Sequence, residues 1–477
     1  MTRTLLGGTA LALITLAAPQ ARACELSGFT YTCTITEAAP IVDDRDNVDV
    51  TVQSGARVDN ADGIAIELSG DDGEITNDGE ITSAGVDGDG DGFNAIELDD
   101  DHVIANNGII ASADGRAIDA DDDLSVTNTG DITAQVGDAI NASDDLSVVN
   151  SGRIESGDDG VQGDSGTVEN AAGGTITAAD KAVTFDGDAT VTNDGTITAG
   201  DEGVEAGDAT VTNTGRITAV EDAVQVATGD ITNAGTIEST DPSGGGDGLD
   251  IDDGSVVNSG TISAIDGAGI DVDGPVADAG ETNPNDIGDL TVENSDTIRG
   301  LIGIQVETES FTEDDEEFFP NASAQIITNS GIIEGTDGTA MLLGAGEDVL
   351  TLLDGAQVIG ETLFGEDNDL LAFDATVDGY DSLFDGGAGT DRVEFAFDLS
   401  FLRTSTEIAP NTVSLGFSGT DVDFDVTLAN FESFHIGGED FTFDEVVEAV
   451  PAIPLPAGIW LLGGGLAGLA WLRRRAA

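Results

Sequence analysis

Through most of the chain, apolar residues come in short runs in which every second position is aliphatic. Thr190-Val191-Thr192-Asn193 is followed by Thr196-Ile197-Thr198-Ala199, and a near copy begins at Thr210-Val211-Thr212-Asn213. A period of two places alternate side chains on one face, so each run predicts a short strand with one buried side. No helical spacing competes. Three aliphatic positions recur per repeat: Val126, Ile132 and Ile140, then Val148, Ile154 and Val161, then Val191, Ile197 and Val204, then Val211, Ile217 and Val224. They predict three short strands per turn.

The strands are punctuated by Asn-x-Gly-x-Ile, with Asn at 77, 128, 150, 193, 213, 233, 258 and 329 and looser copies at Asn106, Asn170 and Asn294. Successive Asn residues are 29, 22, 22, 20, 23, 20, 20, 25, 36 and 35 apart, a period near 20 wherever no loop is inserted. One such unit cannot bury its own aliphatic face. Stacked copies place Val on Val and Ile on Ile in continuous columns. The fold class is therefore all-β, a parallel β-helix. The column that includes Asn128, Asn150, Asn193, Asn213, Asn233 and Asn258 is expected to bond amide to amide between turns. The following Gly is expected to supply a positive φ at the corner.

The ends differ from this pattern. Met1 to Ala23 has an early Arg, an apolar stretch and Ala21-Arg22-Ala23 as a small-x-small cleavage site, a secretory signal cut after Ala23 by signal peptidase once the Sec translocon has engaged it. A lipoprotein signal ending at Cys24 would need Leu three places earlier, where the chain has Ala21. Cys24 and Cys33 are the only cysteines; in an exported chain they are expected to form one hairpin-closing disulfide. The expected organisation is a signal at 1–23, a disulfide hairpin cap at 24–45, Asn-x-Gly-x-Ile turns over 46–340, Gly/Asp-rich turns and a cap over 341–448, and a terminal segment at 449–477.

Charge narrows the function. The chain has 94 acidic and 14 basic residues, and five of the basic ones lie in the terminal segments. Nucleic acid and anionic membrane are excluded as partners for such a surface. Disorder, the ordinary reading of so acidic a composition, does not explain aliphatic residues in register. The acids are in register too. Asp72, Asp101, Asp123, Asp145, Asp188, Asp208, Asp253 and Asp289 stand five places before the repeat Asn, and Asp138, Asp159, Asp180, Glu202 and Asp222 precede the third strand. They read as turn formers or as edges that collect divalent cations. Asp87, Asp89 and Asp91 have the D-x-D-x-D-G spacing of a calcium loop, although Leu98 stands where the bidentate Glu belongs.

Between Pro275 and Ala324 the period lengthens, which predicts projecting loops, including an acidic run ending in Phe318-Phe319. After Met341 three Gly/Asp turns appear, and Gly386-Gly387-Ala388-Gly389-Thr390-Asp391 resembles the turn of calcium-binding RTX repeats. Asp391 is thereby a candidate ligand for Ca2+, the only cofactor suggested. These turns do not recur as the nonapeptides of a true RTX array.

The cysteine pair, the Asn-x-Gly-x-Ile turns, Leu342-Leu343-Gly344-Ala345-Gly346-Glu347-Asp348 and Asp385 to Asp391 together resemble autotransporter-type β-helical passenger proteins, over about residues 25 to 440. That resemblance implies a right-handed solenoid. Too few residues follow Phe395 for an outer-membrane barrel. Instead Val450-Pro451-Ala452-Ile453-Pro454-Leu455-Pro456-Ala457 precedes an apolar stretch and Arg473-Arg474-Arg475. This resembles the VPLPA variant of PEP-CTERM sorting signals, which implies processing by an exosortase-type enzyme of a Gram-negative bacterium. The 16 residues from Ala457 to Leu472 make a helix of about 24 Å, short for a span, whose Arg cluster holds the cytoplasmic side. A permanent membrane tether is the simpler alternative. A polysaccharide-active enzyme is disfavoured by the sparse chemistry: His102 and His435, one lysine, both tryptophans in the tail, and Tyr31 and Tyr380. The expectation is a non-enzymatic surface or matrix protein, adhesin-like or structural, meeting a polysaccharide or surface partner. A calcium-binding surface coat is the second reading.

Overall fold

The structure is a computed structural model that describes residues 24–449 apart from 38–39, 88–89, 91, 244, 275, 278–287, 308–310, 314–315, 319–320, 375–381 and 420–422. The signal segment with Ala23, and the tail with Pro454, Leu455, Pro456, Ala457, Arg473, Arg474 and Arg475, lie outside the described residues.

The chain winds into a parallel β-solenoid of about 15 coils spaced about 22 residues apart. At roughly 4.8 Å per coil the rod is about 70 Å long. A representative coil has strands Ile118–Ala120, Ser125–Asn128 and Asp131–Ala134. Each pairs in parallel with its counterpart one coil on, with Ile118 beside Ile140, Val126 beside Val148 and Ile132 beside Ile154. All of these aliphatics are 1% exposed or less, because period-two strands on three faces of a closed coil turn alternate residues onto one axis.

From Val183 to Asn258 the first two strands of the coil merge. Val183–Asn193, Glu205–Asn213 and Gln225–Asn233 are single strands through the former corner, the first with a bulge between Phe185 and Asp188. Three separate strands per turn thus hold for the coils up to Asn170, while the coils whose strands end at Asn193, Asn213, Asn233 and Asn258 have two, whatever their length. The difference lies in the corner. Asp72, Asp101, Asp123 and Asp145 occupy it in the left-handed region, at φ of 62, 60, 57 and 55°. Asp is one of the few non-glycine residues that tolerates this conformation. In the merged coils Gly187-Asp188 and Gly207-Asp208 replace that turn, and the chain passes through as strand.

The repeat glycine has a different role from the expected one. None of the glycines of the Asn-x-Gly turns has a positive φ. They stack on one another instead: a Cβ on Gly130, Gly215 or Gly235 would overlap the carbonyl oxygen of Gly108, Gly195 or Gly215 in the preceding coil. Close backbone approach, not left-handed conformation, requires glycine there.

Both ends are closed. Cys24–Ser27 and Thr30–Cys33 form an antiparallel hairpin joined by a Cys24–Cys33 disulfide, and its second strand pairs in parallel with Asp49–Val52. At the far end Leu402–Ala409, Thr412–Ser418 and Asp423–Ala429 form an antiparallel meander, followed by a hairpin and the helix Phe443–Glu448. Phe373 and Phe395 stack at 4.9 Å beneath it, and Phe395 lies 4.8 Å from Phe417. Such caps cover the unpaired edges that would otherwise join other strands. The long insertions are not merely irregular loops: Val276–Ala277, Phe311–Glu313 and Glu316–Phe318 form a small antiparallel sheet.

Candidate functional site

Two buried polar columns run along the axis. In the first, the eleven repeat Asn residues from Asn77 to Asn329 are 2% exposed or less. The amide nitrogen of each of the first ten donates to the side-chain oxygen of the next Asn, at 2.8 Å for Asn128 to Asn150, Asn193 to Asn213 and Asn258 to Asn294. The same nitrogen donates to a backbone carbonyl one coil on, as from Asn213 to Thr236 at 3.1 Å. Side-chain oxygens of several also accept the amide of their own turn glycine, as from Gly152 to Asn150 at 3.2 Å. With its bonding capacity taken up, this column is a framework that sets register, and it offers no free group to a ligand.

The second column starts where the first ends. Parallel register aligns Leu290, Gln325, Asp348, Asp369, Asp391 and Glu432 at the N-terminal end of the same strand. At the Asn position the register runs Asn329, Leu352, Phe373 and Phe395. The polar column therefore moves across the strand by four residues at the coil that contains both Gln325 and Asn329. Asp348, Asp369 and Asp391 are 0, 2 and 0% exposed.

Each column carboxylate accepts a backbone N–H from the column position one coil earlier. Gln325 donates to Asp348 Oδ1 at 2.7 Å, Asp348 to Asp369 Oδ1 at 2.9 Å, and Asp369 to Asp391 Oδ1 at 2.9 Å. The Asp391 amide donates in turn to Glu432 Oε2 at 2.9 Å. The other oxygen of each Asp, and Oε1 of Gln325, have no hydrogen-bond partner among the described residues. Burial pushes the carboxyl of Asp348 up to about 9, of Asp369 to about 7 and of Asp391 to about 6. In each case the backbone N–H pulls the other way but loses to desolvation. Only oxygens are offered here, the donor set of hard cations.

The remaining candidates are dispersed. Asp87 accepts the Gly90 amide at 2.9 Å in a local turn, while Asp89 and Asp91 lie outside the described residues. Three groups bring carboxylates within 4.8 Å of one another: Asp158, Asp159 and Asp180; Asp201, Glu202 and Glu221; and Asp250, Asp252 and Asp273. Buried members of the first two already have partners. Asp159 accepts the Lys181 amide at 3.0 Å, and Glu202 lies 3.6 Å from the Lys181 ammonium. His102 is 1% exposed in the N-terminal coils, and His435 faces Asp440 at 2.7 Å on the C-terminal cap, so the two histidines do not meet. Among the described residues no helix is long and apolar enough to cross a membrane.

Reading for motifs singled out Asp391 but not Asp348 or Asp369. Their coils have no repeat Asn to align on, because Leu352 and Phe373 stand in its place. No family model, no curated protein and no solved structure matches the chain.

Proposed function

We propose that the protein is a non-enzymatic, exported β-helical rod of the cell surface or extracellular matrix, adhesin-like or structural. The supporting observation is the continuity of one core through all the described coils, closed by a disulfide hairpin at one end and an antiparallel cap at the other. A rod so built is stiff and resists end-to-end polymerisation. Its acidic exterior opposes collapse onto other acidic surfaces. Flanking segments supply the address: the N-terminal signal directs export, and the VPLPA-like tail is the substrate of an exosortase-type enzyme. The mature solenoid meets its polysaccharide or surface partner through the acidic edges and the inserted sheet.

Fractionation of the producing cell with an antibody against the solenoid tests the reading. Signal outside the inner membrane is expected, carried by a chain whose C-terminal peptide ends before Arg473-Arg474-Arg475. Full-length chain confined to the cytoplasm would overturn it. Removing the inserted segment 275–320 is expected to weaken attachment of cells to a surface while leaving export intact.

A further inference from the structure

We propose that the column of Asp348, Asp369 and Asp391 binds divalent cations, of the calcium class, between successive C-terminal coils. The inference goes beyond the surface-rod reading and holds or fails independently of it. An ionised carboxylate in a protein interior needs a counter-charge or full hydrogen bonding. Here each carboxylate has one oxygen bonded to a backbone N–H and one with no partner, although all three residues are at least 98% buried. No ion pair joins Asp348, Asp369 or Asp391 to a basic side chain among the described residues. Arg392, next in sequence to Asp391, pairs instead with Glu394 and Asp440. Protonation alone does not resolve the arrangement, since a hydroxyl on the unpartnered oxygen would itself need an acceptor.

Further oxygens converge on Asp391. A Cβ on Gly386 would stand 2.9 Å from both Asp391 Oδ2 and the Asn430 carbonyl oxygen. One on Gly389 would overlap the Asp367 carbonyl oxygen and stand 3.1 Å from Asp391 Oδ1. Asp367 takes a positive φ of 77°, and the flanking loops stack coil on coil through Ala345, Glu366 and Ala388. Glycine is thus required by the close packing of the loop backbones, which brings the carbonyls of Asp367 and Asn430 near the Asp391 carboxylate. Several oxygens from a flexible backbone suit Ca2+, whereas Mg2+ demands a tighter octahedron. One carboxylate per coil lets ions bind between coils, so that loading would clamp the C-terminal coils together.

The test is calcium titration of the full-length chain, depleted with EDTA, at fixed ionic strength with matched magnesium as control. Thermal midpoint and binding heat are both read. Asp369→Asn and Asp391→Asn keep the shape and the backbone acceptor; Asp122→Asn removes an exposed edge charge and serves as control. The expected result is a calcium-specific rise in midpoint with Kd of roughly 0.1–1 mM, weakened at least tenfold by either column variant and unchanged by Asp122→Asn. No calcium-specific rise, or one that survives in both column variants, overturns the proposal. Should both variants fail to fold, equilibrium dialysis of the native chain decides. A saturable set of about two calcium ions, one between each pair of successive column carboxylates, that excess magnesium does not displace supports the site, and purely non-saturable uptake overturns it.

Discussion

At the scale of single residues, the strongest constraints are on side chains whose neighbours are copies of themselves. Asn213 accepts from Asn193 and donates to Asn233 at 2.8 Å each. Asn213→Ala leaves one N–H of the buried Asn193 amide unpaired, while Asn233 Oδ1 keeps its bond from the Gly235 amide at 3.1 Å. We expect a loss of about 1–3 kcal/mol, seen as faster hydrogen exchange in the coils from 193 to 258, against a change within about 0.5 kcal/mol for the exposed neighbour Thr214→Ala. Gly215→Ala is expected to open the same coils, because the new Cβ overlaps the Gly195 carbonyl. Asp123→Gly should be tolerated at its φ of 57°, where Asp123→Val should not. Faster exchange confined to the coil of the substitution is the diagnostic in each case.

At the scale of elements, each coil touches only its two neighbours, so damage at one end should stay there. Reduction of the Cys24–Cys33 disulfide is expected to speed exchange in Thr30–Cys33 and Asp49–Val52 and to leave Glu205–Asn213 unchanged. Uniform acceleration along the rod would show instead that the coils unfold as one unit. Much at this scale was legible beforehand. The aliphatic columns and the Asn column follow from spacing, because strand periodicity is local and the repeat supplies the register. The merged strands from Val183 to Asn258, the sheet within the insertion and the meander of the cap were not, because each depends on which edges remain unpaired once the coils have stacked.

At the scale of the whole molecule, the dominant fact is a net charge of −80 held on a narrow rod. Burial and like-charge neighbours push carboxyls up along its edges, Asp159 from 3.8 to about 6 and Glu202 from 4.5 to about 7. Desolvation is the larger cause in both. A raised carboxyl binds its proton more tightly in the folded chain than in the unfolded one, so stability should rise as pH falls from about 7 towards 4. Below that window the unfolded chain is protonated too and the gain levels off. Thermal melts in EDTA at pH 8 and pH 5 are expected to show a higher midpoint at pH 5, the reverse of ordinary acid denaturation. Added monovalent salt at pH 8 should recover part of the difference through screening.

The sequence by itself determined the coil. Alternation of Val, Ile and Thr sets which side chains turn inward, and a spacing near 20 sets which residues stack, both of which are properties of neighbours along the chain. Only the tertiary structure decided where the buried polar column runs. In linear order Asp348, Asp369 and Asp391 are three more acids among 94. They become a site because parallel register places them in the column that Leu290 fills with hydrocarbon, while Phe373 and Phe395 take over the column of the asparagines. Burial and the lack of a partner are relations between coils, and the spacing of residues along one chain does not contain them.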